Sequence, residues 1–228
     1  MASLFFYHLY ALISRMIWLL FTRTRRHGFE FIEDKGCVLA SNHVSHFDPP
    51  LIGAYPPYKL DFMAMKELFS NPVGDFFLRL IDAFPVDRST ADMKAVRTAL
   101  QRLKDGRIVC LFPEGGIRSG GESVLGGHEL PKGAATLALM AKVPVRPCVI
   151  VGSDQLYAWQ NWFCRPVIFI AVGDELEANP MLPKHEAIED LNRRITESMR
   201  EMFTLIQQQP EYSDKLASRT AQQRWAGQ

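Results

Sequence analysis

The sequence predicts an α/β fold, in which a mainly parallel or mixed sheet of about seven strands is flanked by helices. Two observations predict it. Short apolar runs typical of buried strands alternate along the chain with longer segments whose apolar residues recur at helical spacing. The chain also has 228 residues, of which 47% are hydrophobic, and this is enough for one substantial core. We therefore expect one α/β domain at residues 27–208, between an apolar N-terminal segment and a polar tail at 209–228.

The predicted strands are short apolar runs, at residues 29–33, 37–41, 60–65, 82–86, 107–112, 145–151 and 166–172. The predicted helices are longer segments, at residues 49–55, 66–80, 89–105, 132–142 and 185–208. The helix at 89–105 is the clearest, because Ser89 or Thr90 can cap its start and Gly106 follows its end. Its apolar residues fall on one face, which is expected to pack against the sheet.

The first 26 residues combine many apolar residues with four arginines and no acidic residue. A spanning helix needs about 20 nearly uninterrupted apolar residues, and His8, Ser14 and Arg15 interrupt this segment. The basic residues follow the apolar run instead of preceding it, so a signal peptide is not predicted. Residues 1–26 are therefore predicted to lie in the plane of a membrane, with arginines among anionic headgroups. The alternative is a helix that simply packs on the domain.

Charge and cysteine content exclude several classes of protein. Lys and Arg total 26 against 25 Asp and Glu. The resulting net charge of +1 does not indicate a nucleic-acid-binding protein. The four cysteines are widely spaced. Three lie in strand-like runs, at positions 37, 110 and 148, and Cys164 lies outside such runs. This pattern predicts buried free thiols instead of disulfides or a zinc site.

The first candidate site is the run at residues 42–50, which places His43 five residues before Asp48. His43 comes just after a predicted strand. Asp48 precedes Pro49, and this pair is typical of a helix start, because Asp accepts orphan backbone N–H groups there. The layout suits a general base, in which the imidazole takes a proton and the carboxylate fixes its tautomer.

A second candidate site is the glycine-rich turn that follows the predicted strand at 107–112. Ligands of open α/β sheets collect beyond the carboxyl ends of strands. Gly115 would let the backbone approach a ligand closely, and the planar guanidinium of Arg118 suits a phosphate. Glu114 lies in the same turn. The alternative is an ordinary surface turn with a solvated Glu and Arg.

Two further cations precede predicted helices. Arg88 follows a predicted strand end, where a phosphate would meet both a cation and a helix N-terminus. An ion pair of Arg88 with Asp87 or Glu67 is the alternative. Lys132 precedes the helix at 132–142 and is a third possible anion contact.

Taken in order, these motifs resemble those of the glycerolipid acyltransferase family, whose best-known members are the lysophosphatidic acid acyltransferases. The matching blocks span roughly residues 25–175, with His43 and Asp48 in the His-x4-Asp motif and the others at 84–88, 112–119, 132–134 and 143–147. One block departs from the pattern. The family's block is Phe-Pro-Glu-Gly-Thr-Arg-Ser. In this chain Gly116-Ile117 replaces the Thr of that block, which inserts one residue before Arg118.

The resemblance implies acyl transfer from a thioester of coenzyme A or acyl carrier protein to the free hydroxyl of a lysophospholipid, with no resident cofactor or metal. Lysophosphatidic acid is the default acceptor, and a lyso-aminolipid fits the same blocks. His43 is implied as the base and Asp48 as its orienting partner. The residues implied to hold the acceptor's glycerol phosphate are Arg88, Glu114, Gly115, Arg118 and Lys132. Membrane phospholipids are the implied partner, at the cytoplasmic face.

Two rival functions stay open at this point. The first is a metal-dependent hydrolase, because the spacing of His43, His46 and Asp48 also resembles that of metal ligands. A catalytic zinc needs about three protein ligands and an open position. The other rival is a non-catalytic membrane module that binds lysolipids through the same site.

Overall fold

The computed structural model describes residues 2–29, 36–87, 92–213 and 216. Within these residues a seven-stranded mixed sheet forms the centre of the molecule, in the order β1-β7-β6-β2-β5-β3-β4. The strands are β1 Arg23–His27, β2 Cys37–Ser41, β3 Leu60–Met65, β4 Phe84–Val86, β5 Ile108–Leu111, β6 Val145–Val151 and β7 Val167–Val172. The predicted α/β fold is confirmed.

Strands β2 to β6 run parallel, whereas β7 pairs antiparallel with β6, and β1 pairs parallel with β7. The carboxyl ends of β2, β5 and β6 therefore meet at one edge of the sheet. This is the edge at which open α/β sheets bind ligands.

The helices are α1 Ala2–Phe21, α2 Asp48–Gly53, α3 Pro72–Leu80, α4 Met93–Lys104, α5 Gly133–Ala141, α6 Gln160–Cys164 and α7 Lys184–Gln207. The helix predicted at 66–80 is interrupted: a 3-10 turn at Lys66–Phe69 precedes α3. The break follows from Asn71, whose side chain accepts the N–H groups of Val73 and Gly74 and so caps a new helix. The cap of α4 is Asp92, while the predicted caps Ser89 and Thr90 lie outside the described residues.

Side chains of β2 alternate between two apolar cores. Val38 and Ala40 face the core that contains α4, α5 and α7, and Cys37 and Leu39 face the core beneath α1 and α2. Cys37, Cys110 and Cys148 are buried free thiols, as the sequence predicts, and Cys164 is exposed. Burial raises the pKa of the Cys37 and Cys148 thiols to about 12, so both stay protonated.

The first strand differs from the prediction. The segment predicted at 29–33 falls largely outside the described residues, and the edge strand β1 is instead the basic run Arg23–His27. Arg25 donates to Glu211 at 2.8 Å, and the guanidinium of Arg26 lies 4.6 Å from the centre of the Tyr55 ring. The helix thus ends before the basic cluster, and these arginines have partners on the domain, while their expected contact with anionic headgroups stays a prediction.

Helix α1 packs on the domain through a narrow face with polar groups. Tyr7 donates to Gly53 O at 3.4 Å, and both Ser14 Oγ (2.9 Å) and Trp18 Nε1 (3.1 Å) donate to Pro50 O. These three side chains are buried, and their hydrogen bonds fix α1 against α2. Along the described stretches of the chain, none of the helices combines the length and apolar character that a bilayer crossing needs.

Candidate active site

The site is built where three parallel strands end. His43 follows β2, Glu114 follows β5, and Ser153 follows β6. Because Ala40 of β2 aligns with Leu111 of β5, and β6 flanks β2 on its other side, the loops after these strands converge. The fold therefore brings together residues that lie more than a hundred positions apart in the sequence.

The centre of the site is the His43–Asp48 pair. His43 Nδ1 lies 2.8 Å from Asp48 Oδ2, and the Asp48 side chain is fully buried. The same oxygen accepts the backbone N–H groups of Val44 at 2.7 Å and Ser45 at 2.9 Å. Since an ionised carboxylate only accepts hydrogen bonds, the network assigns the proton to Nδ1, and Nε2 is left with a free lone pair. That tautomer is the one a general base requires.

Asp48 is the first residue of α2, but it does not cap that helix. Pro49 and Pro50 follow it and carry no N–H, and the Asp48 N–H donates to Ser45 O at 3.2 Å. The first turn of α2 therefore offers the carboxylate few orphan donors. Asp48 instead binds donors of the preceding loop, which corrects the expected capping role and fixes the loop that carries His43.

Two serines complete the shell of Asp48. Ser45 Oγ lies 2.9 Å from Asp48 Oδ1, and Ser153 Oγ donates to the same oxygen at 2.5 Å. All three side chains are buried. Neither serine was predicted from the sequence. Ser153 could have been found from its place after the predicted strand at 145–151 and Gly152. In the structure Gly152 has a φ of +87° and makes a tight turn there.

Glu114 joins the His43 loop to the glycine-rich turn. Its Oε2 accepts the N–H of His43 at 2.8 Å and its Oε1 accepts the N–H of Val124 at 2.7 Å. Burial raises the pKa of the Glu114 carboxyl, which the two N–H donors oppose. Both oxygens thus accept backbone N–H groups, so Glu114 joins the two loops, and its expected contact with the acceptor stays a prediction.

We expect Glu114→Gln to lower the free energy of unfolding by about 1–3 kcal/mol, because an amide can accept only one of the two buried N–H groups through its oxygen. Denaturant titration of the variant measures this. Glu122→Gln, an exposed glutamate of the same turn, is the control and should leave the midpoint unchanged. Equal midpoints for Glu114→Gln and the wild type would contradict the bridging role.

The remaining predicted binding residues differ in their exposure and in their hydrogen-bond or ion-pair partners. The backbone N–H of Arg118 donates to His43 O at 2.8 Å, so the inserted residue does not detach this turn from the His43 loop, and the Arg118 side chain is exposed. Gly115 is exposed with φ of +71°, which favours glycine. Lys132 pairs with Glu189 of α7 at 2.5 Å. Arg88 lies outside the described residues.

The two histidines of the motif have separate partners. His46 Nδ1 lies 2.5 Å from the Tyr157 hydroxyl, which also accepts the His46 backbone N–H at 3.0 Å. The ring of His43 instead stacks on Phe112, with centroids 4.2 Å apart. Within the described part of the chain, no three His, Cys, Asp or Glu side chains come together as metal ligands do. The two imidazoles therefore belong to separate hydrogen-bond networks, His43 with Asp48 and His46 with Tyr157.

Aromatic side chains connect the site to α1 and α6. The Trp18 ring lies 6.2 Å from Phe47, inside the motif, and 6.0 Å from Trp162 of α6. Phe47 in turn lies 5.5 Å from Tyr157, the partner of His46. The N-terminal helix is therefore packed directly against the loop that carries the His43–Asp48 pair.

An apolar cavity of about 240 Å³ lies beside the motif, between the glycine-rich turn and α7. Its lining includes Val44, Leu125, Ile150, Phe203 and Tyr212. Val44 directly follows His43. The cavity thus places apolar surface next to the polar centre.

Fold and site together define an α/β enzyme whose buried histidine–aspartate pair is arranged for general-base catalysis. The chain belongs to the acyltransferase family, because the family model described as Acyltransferase matches residues 23–151. This confirms the resemblance seen in the motifs.

Individual relatives agree with this assignment. A 1-acyl-sn-glycerol-3-phosphate acyltransferase of Bacillus subtilis (strain 168) is 34% identical over 171 residues, covering 72% of this chain and 81% of the relative. A Streptococcus pneumoniae protein of the same name is 29% identical over 65% of this chain, which spans only 55% of that relative. The crystal structure of the 1-acyl-sn-glycerophosphate (LPA) acyltransferase PlsC from Thermotoga maritima shares the fold, with a TM-score of 0.70 and 22% identity over 91% of this chain and 80% of that one.

Proposed function

We propose that this enzyme transfers a fatty acyl group from a thioester of coenzyme A or acyl carrier protein to the free hydroxyl of 1-acyl-sn-glycerol 3-phosphate, giving phosphatidic acid. The observation that carries the proposal is the buried His43–Asp48 pair with its free Nε2. The names of the Bacillus subtilis and Streptococcus pneumoniae relatives support the choice of acceptor.

In the proposed reaction, His43 Nε2 removes the proton of the acceptor hydroxyl while that oxygen attacks the thioester carbon. The tetrahedral intermediate then collapses, the C–S bond breaks, and the leaving thiolate takes the proton from the imidazolium. Asp48 stabilises the imidazolium between these two steps. One side chain thus serves as base and then as acid, and no covalent enzyme intermediate is required.

The exposed Arg118 side chain is proposed to hold the acceptor phosphate, because its backbone is attached to the His43 loop. The cavity beside Val44 is proposed to take part of an acyl chain, because its lining is mainly apolar. A polar headgroup and an apolar tail would then diverge from the reactive hydroxyl.

A lyso-aminolipid acceptor is the second candidate. A lyso-ornithine lipid O-acyltransferase of Pseudomonas aeruginosa is 31% identical over 106 residues, which is 46% of this chain and 40% of that relative. Incubation of the purified enzyme with labelled acyl donors and a panel of lysolipids separates the two. We expect phosphatidic acid as the main product, and an acylated aminolipid in its place would overturn the proposed acceptor.

We expect Arg118→Ala to raise the KM for lysophosphatidic acid about ten- to a hundredfold, the value of one charge-assisted contact, with little change in the KM for the thioester. Arg118→Lys should recover only part of the loss, since a point charge does not reproduce the bidentate guanidinium. Arg193→Ala, an exposed arginine of α7, is the control. An unchanged acceptor KM in Arg118→Ala would place the phosphate elsewhere.

We also propose that α1 lies on a lipid leaflet, from which the acceptor enters. Its face against the domain carries the hydrogen bonds of Tyr7, Ser14 and Trp18, whereas its outer face exposes large apolar side chains. These exposed residues are Phe6, Leu9, Leu12, Ile13, Met16, Leu19 and Leu20. A helix that turns its apolar side outwards fits an interfacial lipid environment.

A further inference from the structure

We propose that α3 and the turn before it form a second lipid-inserting element next to α1. This element and α6 together set the orientation of the enzyme on the leaflet. This inference rests on the membrane association of the proposed function. The element, called here the α3 face, consists of exposed apolar side chains, namely Met65, Leu68, Val73, Phe76 and Phe77.

The α3 face is unusually apolar for a surface exposed to water. Val73, Phe76 and Phe77 have exposed fractions of 65%, 60% and 61%. Their spacing of three and four residues places them on one side of the helix. Single exposed apolar residues are common on proteins, whereas a contiguous patch marks a surface that is covered in use.

This exposure does not come from a loosely placed helix. Asn71 caps the start of α3, and Arg79 pairs with Asp75 one turn earlier at 2.8 Å. Leu78 of α3 and Ile81, which directly follows the helix, pack against the core beneath α1 and α2. The structure therefore holds α3 in an orientation in which its two phenylalanines point outwards.

The α3 face lies on a helix that packs beside α1. Helix α1 contacts both α3 and α6, which lie over different halves of the sheet because α3 connects β3 to β4 and α6 connects β6 to β7. Exposed aromatic residues flank α1 on the α6 side as well, at Trp159 and Phe163. Two elements at different places on the fold, α3 and α6, thus present exposed apolar side chains beside α1.

A lipid leaflet fits this surface better than a second copy of the chain. Helices α1 and α6 contain no acidic residue. Asp75 pairs with Arg79 in α3, and Lys66 of the turn pairs with Asp87, which leaves Glu67 as the one further acidic residue of the turn. The surface therefore offers few charges to specify a protein partner. Tryptophan and other aromatic side chains are favoured at the water–lipid interface. The surface also adjoins the catalytic loop through Trp18 and Phe47, so docking on it would bring the site to the leaflet that holds the acceptor.

The test is the double variant Phe76→Ser/Phe77→Ser in full-length protein, assayed by flotation with phosphatidylcholine vesicles and with phosphatidylcholine vesicles that contain phosphatidylglycerol. We expect vesicle binding to fall about ten- to a hundredfold on both, with little dependence on salt, because two large apolar contacts are lost and no charge is removed. The matched control is Met181→Ser/Leu205→Ser, which removes two exposed apolar side chains elsewhere and should bind as the wild type does.

Two further measurements decide between outcomes. Sedimentation without lipid should give the same mass for wild type and variant, and a wild-type dimer that dissociates in the variant would identify a second copy as the occupant. Acylation of a short-chain, water-soluble lysophosphatidic acid should proceed equally in both, which shows that the variant is folded.

Unchanged vesicle binding by the variant overturns the α3 proposal. Failure of the wild type to acylate the soluble acceptor would instead count against the proposed function. Should the double variant unfold, Val73→Ser tests the same face with a smaller expected loss.

Discussion

Replacing His43 with alanine is expected to lower the rate of acyl transfer by about a hundredfold to ten-thousandfold, the usual contribution of a positioned acid–base group. The protein should stay folded, because Asp48 keeps its hydrogen bonds from Val44, Ser45 and Ser153 when the imidazole is removed. Steady-state rates with a saturating thioester measure the effect, and the thermal midpoint of the variant verifies the fold.

His46→Ala is the matched control, since it removes a second histidine from the same loop. His46 is exposed and bonded to Tyr157, with no contact to Asp48, so its loss should reduce the rate far less. An inactive His46 variant beside an active His43 variant would show that the roles of the two residues were assigned the wrong way round.

The sequence predicted the fold well where burial decided the structure. Six of the seven predicted strands overlap observed ones, because apolar runs such as Cys37–Ser41 are buried on both faces and leave a clear pattern. Strand β1 has no such pattern. It lies at the edge of the sheet, where charged side chains remain solvated, and its sequence Arg-Thr-Arg-Arg-His looks like a basic cluster.

The candidate site was predictable as a motif but not as a network. The spacing of His43 and Asp48 is local, so one loop can bring the two together, and the structure places them in hydrogen-bond contact. Ser153 reaches the same carboxylate from 105 positions away, through strand pairing that no local pattern contains. Glu114 was found as a site residue, but its bridging hydrogen bonds were not, because its partners are backbone N–H groups, which the sequence does not distinguish.

The second large effect is expected for Asp48→Asn, which should reduce kcat by about a hundredfold or more and leave the KM values nearly unchanged. The donors around Asp48 dictate how asparagine fits. Oδ2 faces three N–H groups, from His43, Val44 and Ser45, so the amide oxygen must occupy that position. Oδ1 faces the hydroxyls of Ser45 and Ser153, which can rotate to accept from the amide NH₂. The three N–H groups and the amide of asparagine would therefore all keep hydrogen-bond partners.

In the Asp48→Asn variant the amide oxygen would still hold the proton on His43 Nδ1, so the correct tautomer is kept and only the negative charge is lost. The variant thus isolates how much that charge stabilises the imidazolium formed during the reaction. Ser153→Ala is the control for local disturbance, because it removes one hydrogen bond to the same carboxylate but no charge, and its kcat should fall much less. If Asp48→Asn were as active as the wild type, the carboxylate would serve only to hold the loop, and the stabilising charge for the imidazolium would have to come from another group.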